Sequence, residues 1–276
     1  MNSTLFFIVT TEMAQTQGVQ LFNTARLNVL IALIVYGALL LWFIYHARKG
    51  KQLFIRKISG LEALDEAVGR ATEMGKPVLY VPGLASIDVI STIASMNILS
   101  QVAKKTAEYN TTLLVPNRDP VVYTVAREVV KEAYTDAGRP DAFNSDSVYF
   151  LTQDQFGYTS AVCGTMVRDK PATNLFIGYF WAESLVLAET GATTGAIQIA
   201  GTDSIFQLPF FIVACDYTLI GEELYAASAY LSREPLLLGS IKGQDWGKMI
   251  ILGLLLLSSF LSLLGWNKVV SFFNIG

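Results

Sequence analysis

Polar residues and glycines follow several short apolar runs in this sequence, and their types suit the binding of a small anionic molecule. The turn Gly201-Thr202-Asp203-Ser204 is the best single candidate, because glycine admits close backbone approach and three hydroxyl or carboxylate groups follow it. Capping of the next segment explains these four residues equally well. The full set of candidate ligand-binding residues is Gly83, Ser86, Asn117, Arg118, Glu183, Ser184, Gly201, Thr202, Asp203, Ser204, Asp216 and Glu222.

The charged members of this set leave two alternatives open. Arg118 could bind an anion, but Asp119 beside it could simply neutralise its charge. Glu183 and Glu222 each lie near a second glutamate, and paired carboxylates act as acid and base only where burial separates their pKa values. Helix capping and solvated helix faces are the more common roles of such glutamates.

The usual catalytic and cofactor signatures do not occur. His46 is the sole histidine, so a histidine base paired with serine or cysteine is not expected. Cys163 and Cys215 have no neighbouring histidine, which predicts two buried thiols and no metal site. The turn at residues 81–86 has one glycine, without the GxGxxG spacing or the P-loop lysine. The catalytic residues and the cofactor, if either exists, stay unknown from the sequence.

The elements that must position these residues alternate between short apolar runs and helical periodicity. Strands are predicted at residues 77–81, 112–115, 147–151, 174–180, 196–200 and 209–215. Helices are predicted at residues 60–75, 88–109, 120–137, 154–167, 182–190 and 221–231. Apolar strands separated by helices predict an α/β fold, a Rossmann-like doubly wound and mostly parallel sheet covered by helices. In such a sheet the candidate residues lie outside the carboxyl ends of the strands.

Two uncharged apolar stretches, residues 27–45 and 249–266, flank this alternating region. Each has about the length a helix needs to cross ~30 Å of hydrocarbon, so one transmembrane helix is predicted on each side. The first is too long for a signal-peptide core, and its positive charges follow it, which favours an anchor. A third span at residues 208–220 is the less favoured alternative to a core strand, because this stretch is short and contains Pro209 and Asp216.

Charge is distributed unevenly around the first span. Residues 46–60 form a basic collar with five lysines and arginines, whereas residues 61–246 carry 12 basic and 22 acidic residues. The positive-inside bias then predicts a cytosolic domain at 61–246, an external tail at 1–26 and a short external tail at 267–276. Residues 232–246 are expected to connect this domain to the second span. The acidic body argues against nucleic acid as a partner.

Three sequence runs resemble a prokaryotic family that is catalogued only as a domain of unknown function. The runs are AESL with AETG at residues 182–191, GAIQIAGT at 195–202 and CDYTLIGEE at 215–223, and the resemblance covers roughly residues 75–247. It implies a membrane-associated protein without an assigned activity or assigned catalytic residues.

The leading functional hypothesis is a domain tethered to the lipid bilayer that acts in assembly or ligand sensing, as a homo-oligomer. One alternative is an enzyme that acts on a nucleotide-like or other anionic small molecule at the strand ends. Another is a subunit of a larger complex with other membrane proteins.

Overall fold

The computed structural model describes residues 27–49 and 59–264. The predicted tails at 1–26 and 267–276, and most of the basic collar at 46–60, lie outside these residues. The described helices are α1 (Leu27–Arg48), α2 (Ser59–Glu73), α3 (Ile90–Glu108), α4 (Pro120–Asp136), α5 (Gln155–Asp169), α6 (Glu183–Thr194), α7 (Leu208–Ala214), α8 (Glu222–Ser232) and α9 (Pro235–Leu263), with two short 3₁₀ turns at Pro140–Ala142 and Ser145–Ser147. The strands are β1 (Val78–Val81), β2 (Leu113–Asn117), β3 (Val148–Phe150), β4 (Thr173–Ile177), β5 (Ile197–Thr202) and β6 (Tyr217–Ile220).

The six strands form one sheet in the order β3-β2-β1-β4-β5-β6, and every pair is parallel. This order is that of a doubly wound Rossmann sheet, in which the direction of winding reverses between β1 and β4. The predicted fold class is confirmed. Five of the six predicted strands and all six predicted helices of the alternating region overlap their observed counterparts.

Strand residues alternate between two apolar layers. Val78 and Tyr80 pack with α2, α3, α4 and α8 on one face of the sheet. Leu79 and Val81 pack with α5, α6 and α7 on the other face. Burial on both faces explains why the strands read as continuous apolar runs instead of alternating polar and apolar residues.

The predicted sixth strand at residues 209–215 is wrong, because this segment forms α7 and the strand follows it as β6. Phe211 decides the conformation. It is fully buried and packs against Phe176 and Phe180 at ring-centroid distances of 5.9 and 5.1 Å. A strand would present residues 209, 211 and 213 to one face, whereas the helix buries Leu208 and Phe211 and leaves Val213 exposed.

The predicted connector at residues 232–246 is also different in the structure, where α9 runs unbroken from Pro235 to Leu263. Proline at the first helical position costs no hydrogen bond, so Pro235 starts the helix and does not interrupt it. Within the described residues, two helices are long and apolar enough to cross a membrane, α1 at Asn28–Arg48 and α9. The third span considered at 208–220 is not among them.

The chain divides into two compact units. One contains residues up to Phe43 and from Gly243 onward, and the other is the α/β unit from Ile44 to Lys242. In the first unit the rings of Phe43 and Trp246 stack with centroids 6.3 Å apart. A Cβ at Gly243 would lie 2.8 Å from Leu40 Cδ2, so the missing side chain lets α1 and α9 pack closely. At Gly253, further along α9, a Cβ would meet nothing within 4 Å.

Candidate functional site

The carboxyl ends of all six strands lie at one edge of the sheet, and the loops after β1 and β4 meet at the point where the winding reverses. Gly83 and Gly178 have φ angles of +83° and +139°, which L side chains rarely adopt. A Cβ at Gly83 would lie 2.6 Å from the Tyr179 carbonyl oxygen, and the Leu84 N–H donates to that oxygen at 2.9 Å. The two loops are therefore in backbone contact.

An open cavity of about 350 Å³ lies beside this contact, within the size range of small-molecule sites. We call it the strand-end pocket. Its lining residues come from the loops after β1, β2 and β4, and they are Leu84, Ala85, Ser86, Val89, Arg118, Asp119, Tyr179 and Trp181. The wall is mainly apolar and aromatic, and Arg118 brings a permanent positive charge to it.

Arg118 is held in place without a carboxylate. Its Nε donates to the Gln153 carbonyl and one terminal nitrogen donates to the Leu84 carbonyl, both at 2.8 Å. The guanidinium carbon lies 5.0 Å from the centre of the Trp181 ring, within the range of cation–π attraction. In the described part of the chain, no carboxylate oxygen forms an ion pair with Arg118.

Asp119 caps a helix and forms no ion pair with Arg118 among the described residues. Its Oδ1 accepts from the backbone N–H groups of Val121 and Val122, at 2.8 and 2.9 Å. Asp119 is the N-cap of α4, and such a contact typically stabilises a helix by about 1 kcal/mol. The guanidinium keeps donors for a further acceptor, because a guanidinium has five N–H bonds and the two carbonyls take only two.

The first turn of α3 also borders the strand-end pocket, with the Asp88 carboxylate directly before it. Its N-cap, Val89, lines the strand-end pocket and supplies no side-chain hydrogen bond to the turn. The Ser86 hydroxyl, at the start of the same loop, donates to the Asp88 carboxylate. A helix N-terminus without a capping side chain carries partial positive charge on its N–H groups.

Glu183 positions Trp181 and does not face the pocket as a reactive group. It is fully buried, and its two oxygens accept from the Trp181 N–H at 2.7 Å and from Gln155 Nε2 at 2.5 Å. The neighbouring Tyr158 hydroxyl donates to the Pro116 carbonyl at 2.9 Å. Burial raises the pKa of Tyr158 well above its usual range, and the negative charge of Glu183 adds to this effect, so the phenol stays neutral.

Of the predicted turn at residues 201–204, Gly201 and Thr202 belong to β5, which is two residues longer than predicted, and Asp203 and Ser204 follow it. Asp203 contacts α8. The Tyr225 hydroxyl donates to Asp203 Oδ2 at 2.5 Å. Burial raises the pKa of Tyr225, and both the hydrogen bond to Asp203 and the negative charge of Asp203 raise it further. Thr202 Oγ1 accepts from the Ser204 N–H at 3.2 Å, as a turn-capping hydroxyl does. A Cβ at Gly201 would lie 3.3 Å from side-chain atoms of Ile177 and Leu219, so the glycine allows these two side chains to pack closely against the strand.

The remaining candidates lie apart from the strand-end pocket. Asn117 is buried, with its amide donating to the Val115 carbonyl at 2.8 Å, and Ser184 is buried and donates to Gln207 Oε1 at 2.6 Å. Glu222 begins α8. Asp216 lies at the opposite, amino edge of the sheet, where its Oδ2 accepts from the Gln198 N–H at 2.8 Å. It lies there because β6 begins after Asp216, whereas the sequence placed a strand before it.

Of the predicted residues, the structure brings Ser86 and Arg118 together in one pocket and places Gly83 in the loop behind it. Tyr179 and Trp181 are not among the residues predicted from the sequence, because the predicted strand extends to residue 180, whereas β4 ends at Ile177. Aromatic residues directly after a buried strand were the signal available for them. Tyr225, the hydrogen-bond partner of Asp203, was not predicted from the sequence either.

The described residues contain no group of three or more His, Cys, Asp or Glu side chains arranged to hold a metal ion. The two cysteines are free thiols and are partly buried, whereas the sequence predicted that both would be buried. Burial and then the charge of Asp216 raise the pKa of Cys215 to about 12, and burial raises the pKa of Cys163. Both side chains are therefore protonated near neutral pH and are poor nucleophiles.

A family model described as a domain of unknown function, DUF6754, matches residues 17–273. This range is wider than the resemblance read from the sequence runs, and it contains both candidate spans as well as the α/β unit. No curated protein and no solved structure matches the chain. The function therefore has to be inferred from the geometry of the site.

Proposed function

The chain belongs to the DUF6754 family, a domain of unknown function, and we propose that it is a membrane-tethered domain that senses a small anionic ligand in the strand-end pocket. The residues that line the strand-end pocket indicate the class of ligand. Arg118 offers unused N–H donors to an anion, and the Trp181 and Tyr179 rings with Leu84 and Val89 offer a surface to a planar or apolar portion.

The free donors of Arg118 carry this proposal. Two carbonyl hydrogen bonds fix the guanidinium at the junction of three strand-end loops, while its nearest acid, Asp119, caps α4. A positive charge that is positioned but unpaired has its best partner in an incoming anion.

The enzyme alternative has weaker support from the same pocket. Among the described residues that line the pocket, Asp119 alone has a carboxyl group, and that group caps a helix. Glu183 is buried with both oxygens hydrogen-bonded. Neither is positioned to exchange a proton with a ligand. Binding without conversion is therefore the function that the pocket supports best.

Three probes would test the ligand class on the full-length protein in mild detergent. Phenyl phosphate carries a ring and an anion, whereas inorganic phosphate carries only the anion and benzyl alcohol only the ring. We expect phenyl phosphate to bind most tightly, and Arg118→Gln to weaken its binding by about 10- to 100-fold, the effect of losing a charge-assisted hydrogen bond. Isothermal titration calorimetry measures both.

Arg168→Gln is the matched control, because Arg168 is exposed and pairs with Asp169, away from the pocket. Thermal unfolding of both variants separates lost binding from lost folding. If benzyl alcohol bound as tightly as phenyl phosphate, or if Arg118→Gln bound phenyl phosphate like the wild type, the proposal would be wrong.

The proposal includes an orientation in the cell membrane, with the α/β unit in the cytoplasm and both termini outside. Its support is the run of bases that begins at the last residue of α1, Arg48, and continues to Lys57, whereas only Arg26 precedes α1. We expect a membrane-impermeant maleimide on intact cells to label a Ser3→Cys variant but not a Glu128→Cys variant until the cells are opened. The reverse pattern would contradict this orientation.

The proposal also includes association of copies into a homo-oligomer within the bilayer. Two anchors per chain confine each copy to the plane of the membrane, which raises the effective concentration of neighbouring copies. Other membrane subunits would be an alternative source of partners, and they would appear as additional chains after purification.

A further inference from the structure

Arg118 and Asp119 bring opposite charges to the strand-end pocket without pairing with each other. Both residues line the cavity, and no ion pair joins them in the described part of the chain. The same dipeptide recurs as Arg168-Asp169 at the end of α5, where the guanidinium donates to both carboxylate oxygens at 2.8 and 2.9 Å. Adjacent arginine and aspartate residues can therefore pair, and the strand-end pocket holds its own two charges apart.

Backbone contacts explain this separation and leave each side chain with unused hydrogen-bonding capacity. Arg118 donates to two backbone carbonyls, and both N–H groups that bind Asp119 donate to its Oδ1 atom. Within the described residues, Asp119 Oδ2 accepts no hydrogen bond. Since an ionised carboxylate offers about four acceptor positions, the pocket presents free N–H donors on one residue and a free acceptor on the next.

The total charge around the pocket is close to zero. Arg118 is positive and Asp119 is negative, and the Asp88 carboxylate, which accepts from the lining residue Ser86, adds a second negative charge. The hydrogen bond from Ser86 lowers the pKa of Asp88, so this carboxyl group is ionised at neutral pH. The N-termini of α3 and α4 each add about half a positive charge. A ligand of zero net charge fits this balance, whereas Asp119 and Asp88 oppose a dianion.

The rest of the lining defines the uncharged part of the ligand. The rings of Tyr179 and Trp181 meet edge to face with centroids 6.4 Å apart, and Leu84 and Val89 complete the apolar wall. The cavity of about 350 Å³ lies at the lower end of the range for small-molecule sites. Its size and lining therefore suit one aromatic or large apolar side chain.

We infer that the strand-end pocket binds a small zwitterion, an ammonium carboxylate with such a side chain, of which an aromatic α-amino acid is the simplest example. The ligand carboxylate accepts from Arg118, and the ligand ammonium group donates to Asp119 Oδ2. A primary ammonium group fits better than a quaternary one, because only the primary group has N–H bonds to donate. This inference rests on the proposed anion binding at Arg118 and names the class of ligand.

Phenylalanine and 3-phenylpropanoate form a matched pair of probes, because they differ only in the α-ammonium group. Isothermal titration calorimetry on the full-length protein in mild detergent at neutral pH measures both affinities. We expect phenylalanine to bind about 10- to 100-fold more tightly, the effect of one charge-assisted hydrogen bond. Arg118→Gln should weaken the binding of both probes, since both carry the carboxylate.

Asp119→Asn tests the partner of the ammonium group. Asparagine caps a helix as well as aspartate does, so α4 should keep its cap while the pocket loses a negative charge. We expect phenylalanine to lose its advantage over 3-phenylpropanoate, and 3-phenylpropanoate to bind at least as tightly as it binds the wild type. A purely structural role of Asp119 would instead weaken the binding of both probes.

Asp154→Asn is the matched control. Asp154 is the N-cap of α5, where its carboxylate accepts from the Gly157 N–H at 2.6 Å, and it does not line the pocket. This variant also loses one negative charge and keeps a capping side chain. It is expected to retain the preference for phenylalanine.

The possible failures have different meanings. Equal affinities of the wild type for the two probes, or binding of phenyl phosphate without binding of phenylalanine, would overturn this inference and leave the proposed anion binding intact. A preference for phenylalanine that persists in Asp119→Asn would overturn the role of Asp119. If none of the three compounds bound, both this inference and the proposed function would be wrong.

Discussion

Replacing Gly178 by alanine is expected to lower the free energy of unfolding of the α/β unit by about 3 kcal/mol or more. Gly178 has a φ angle of +139°, which only glycine adopts at low cost. A Cβ at this residue would also overlap the Pro82 carbonyl oxygen and lie 2.9 Å from the Pro82 carbonyl carbon. Backbone strain costs about 1–3 kcal/mol, and overpacking against a fixed backbone costs about as much again. Urea unfolding followed by circular dichroism measures the loss.

The same substitution should abolish binding of phenyl phosphate in the strand-end pocket. Gly178 immediately precedes Tyr179, whose carbonyl holds the Leu84 N–H, and both residues line the pocket. Gly164→Ala is the matched control. Gly164 lies in the middle of α5, where a Cβ would meet nothing within 4 Å, so alanine should stabilise that helix by about 0.5–1 kcal/mol. Equal stabilities of the two variants would show that the loops do not meet as described.

The order of strands and helices could be predicted from the sequence, because the spacing of apolar residues and the positions of turn residues are local signals. The strand predicted at 112–115 overlaps β2, which ends two residues later at Asn117, and the helix predicted from residue 120 begins where α4 does, at Pro120 after its N-cap Asp119. The pairing of Arg118 with Trp181 could not be predicted in this way. It depends on β2, β1 and β4 being neighbours, which is a property of the sheet order, and on β4 ending at Ile177.

The two wrong segments share one physical cause, which is packing that overrides local preference. Glycines at 239 and 243 made residues 232–246 look like a connector, yet Gly243 is where the backbone of α9 approaches Leu40 of α1. Residues 209–215 are rich in β-branched and aromatic side chains and have strand propensity. Their conformation is decided by the two aromatic contacts that Phe211 makes in the core.

Phe211→Ala is accordingly expected to cost about 3–5 kcal/mol of unfolding free energy, the range for a buried aromatic side chain. Phe211 is fully buried and contacts Phe176 and Phe180, so its removal leaves a cavity between α7 and the sheet. Phe206→Ala, at a residue 84% exposed, should change stability by less than about 0.5 kcal/mol.

Val213→Ala completes this comparison, because its effect on stability distinguishes the observed helix α7 from the strand predicted at residues 209–215. In a strand, Val213 would lie on the same face as Phe211, and its truncation would cost about 1–3 kcal/mol. In α7 it is exposed, and we expect almost no change. A large loss at Val213 together with a small one at Phe211 would contradict the orientation of α7.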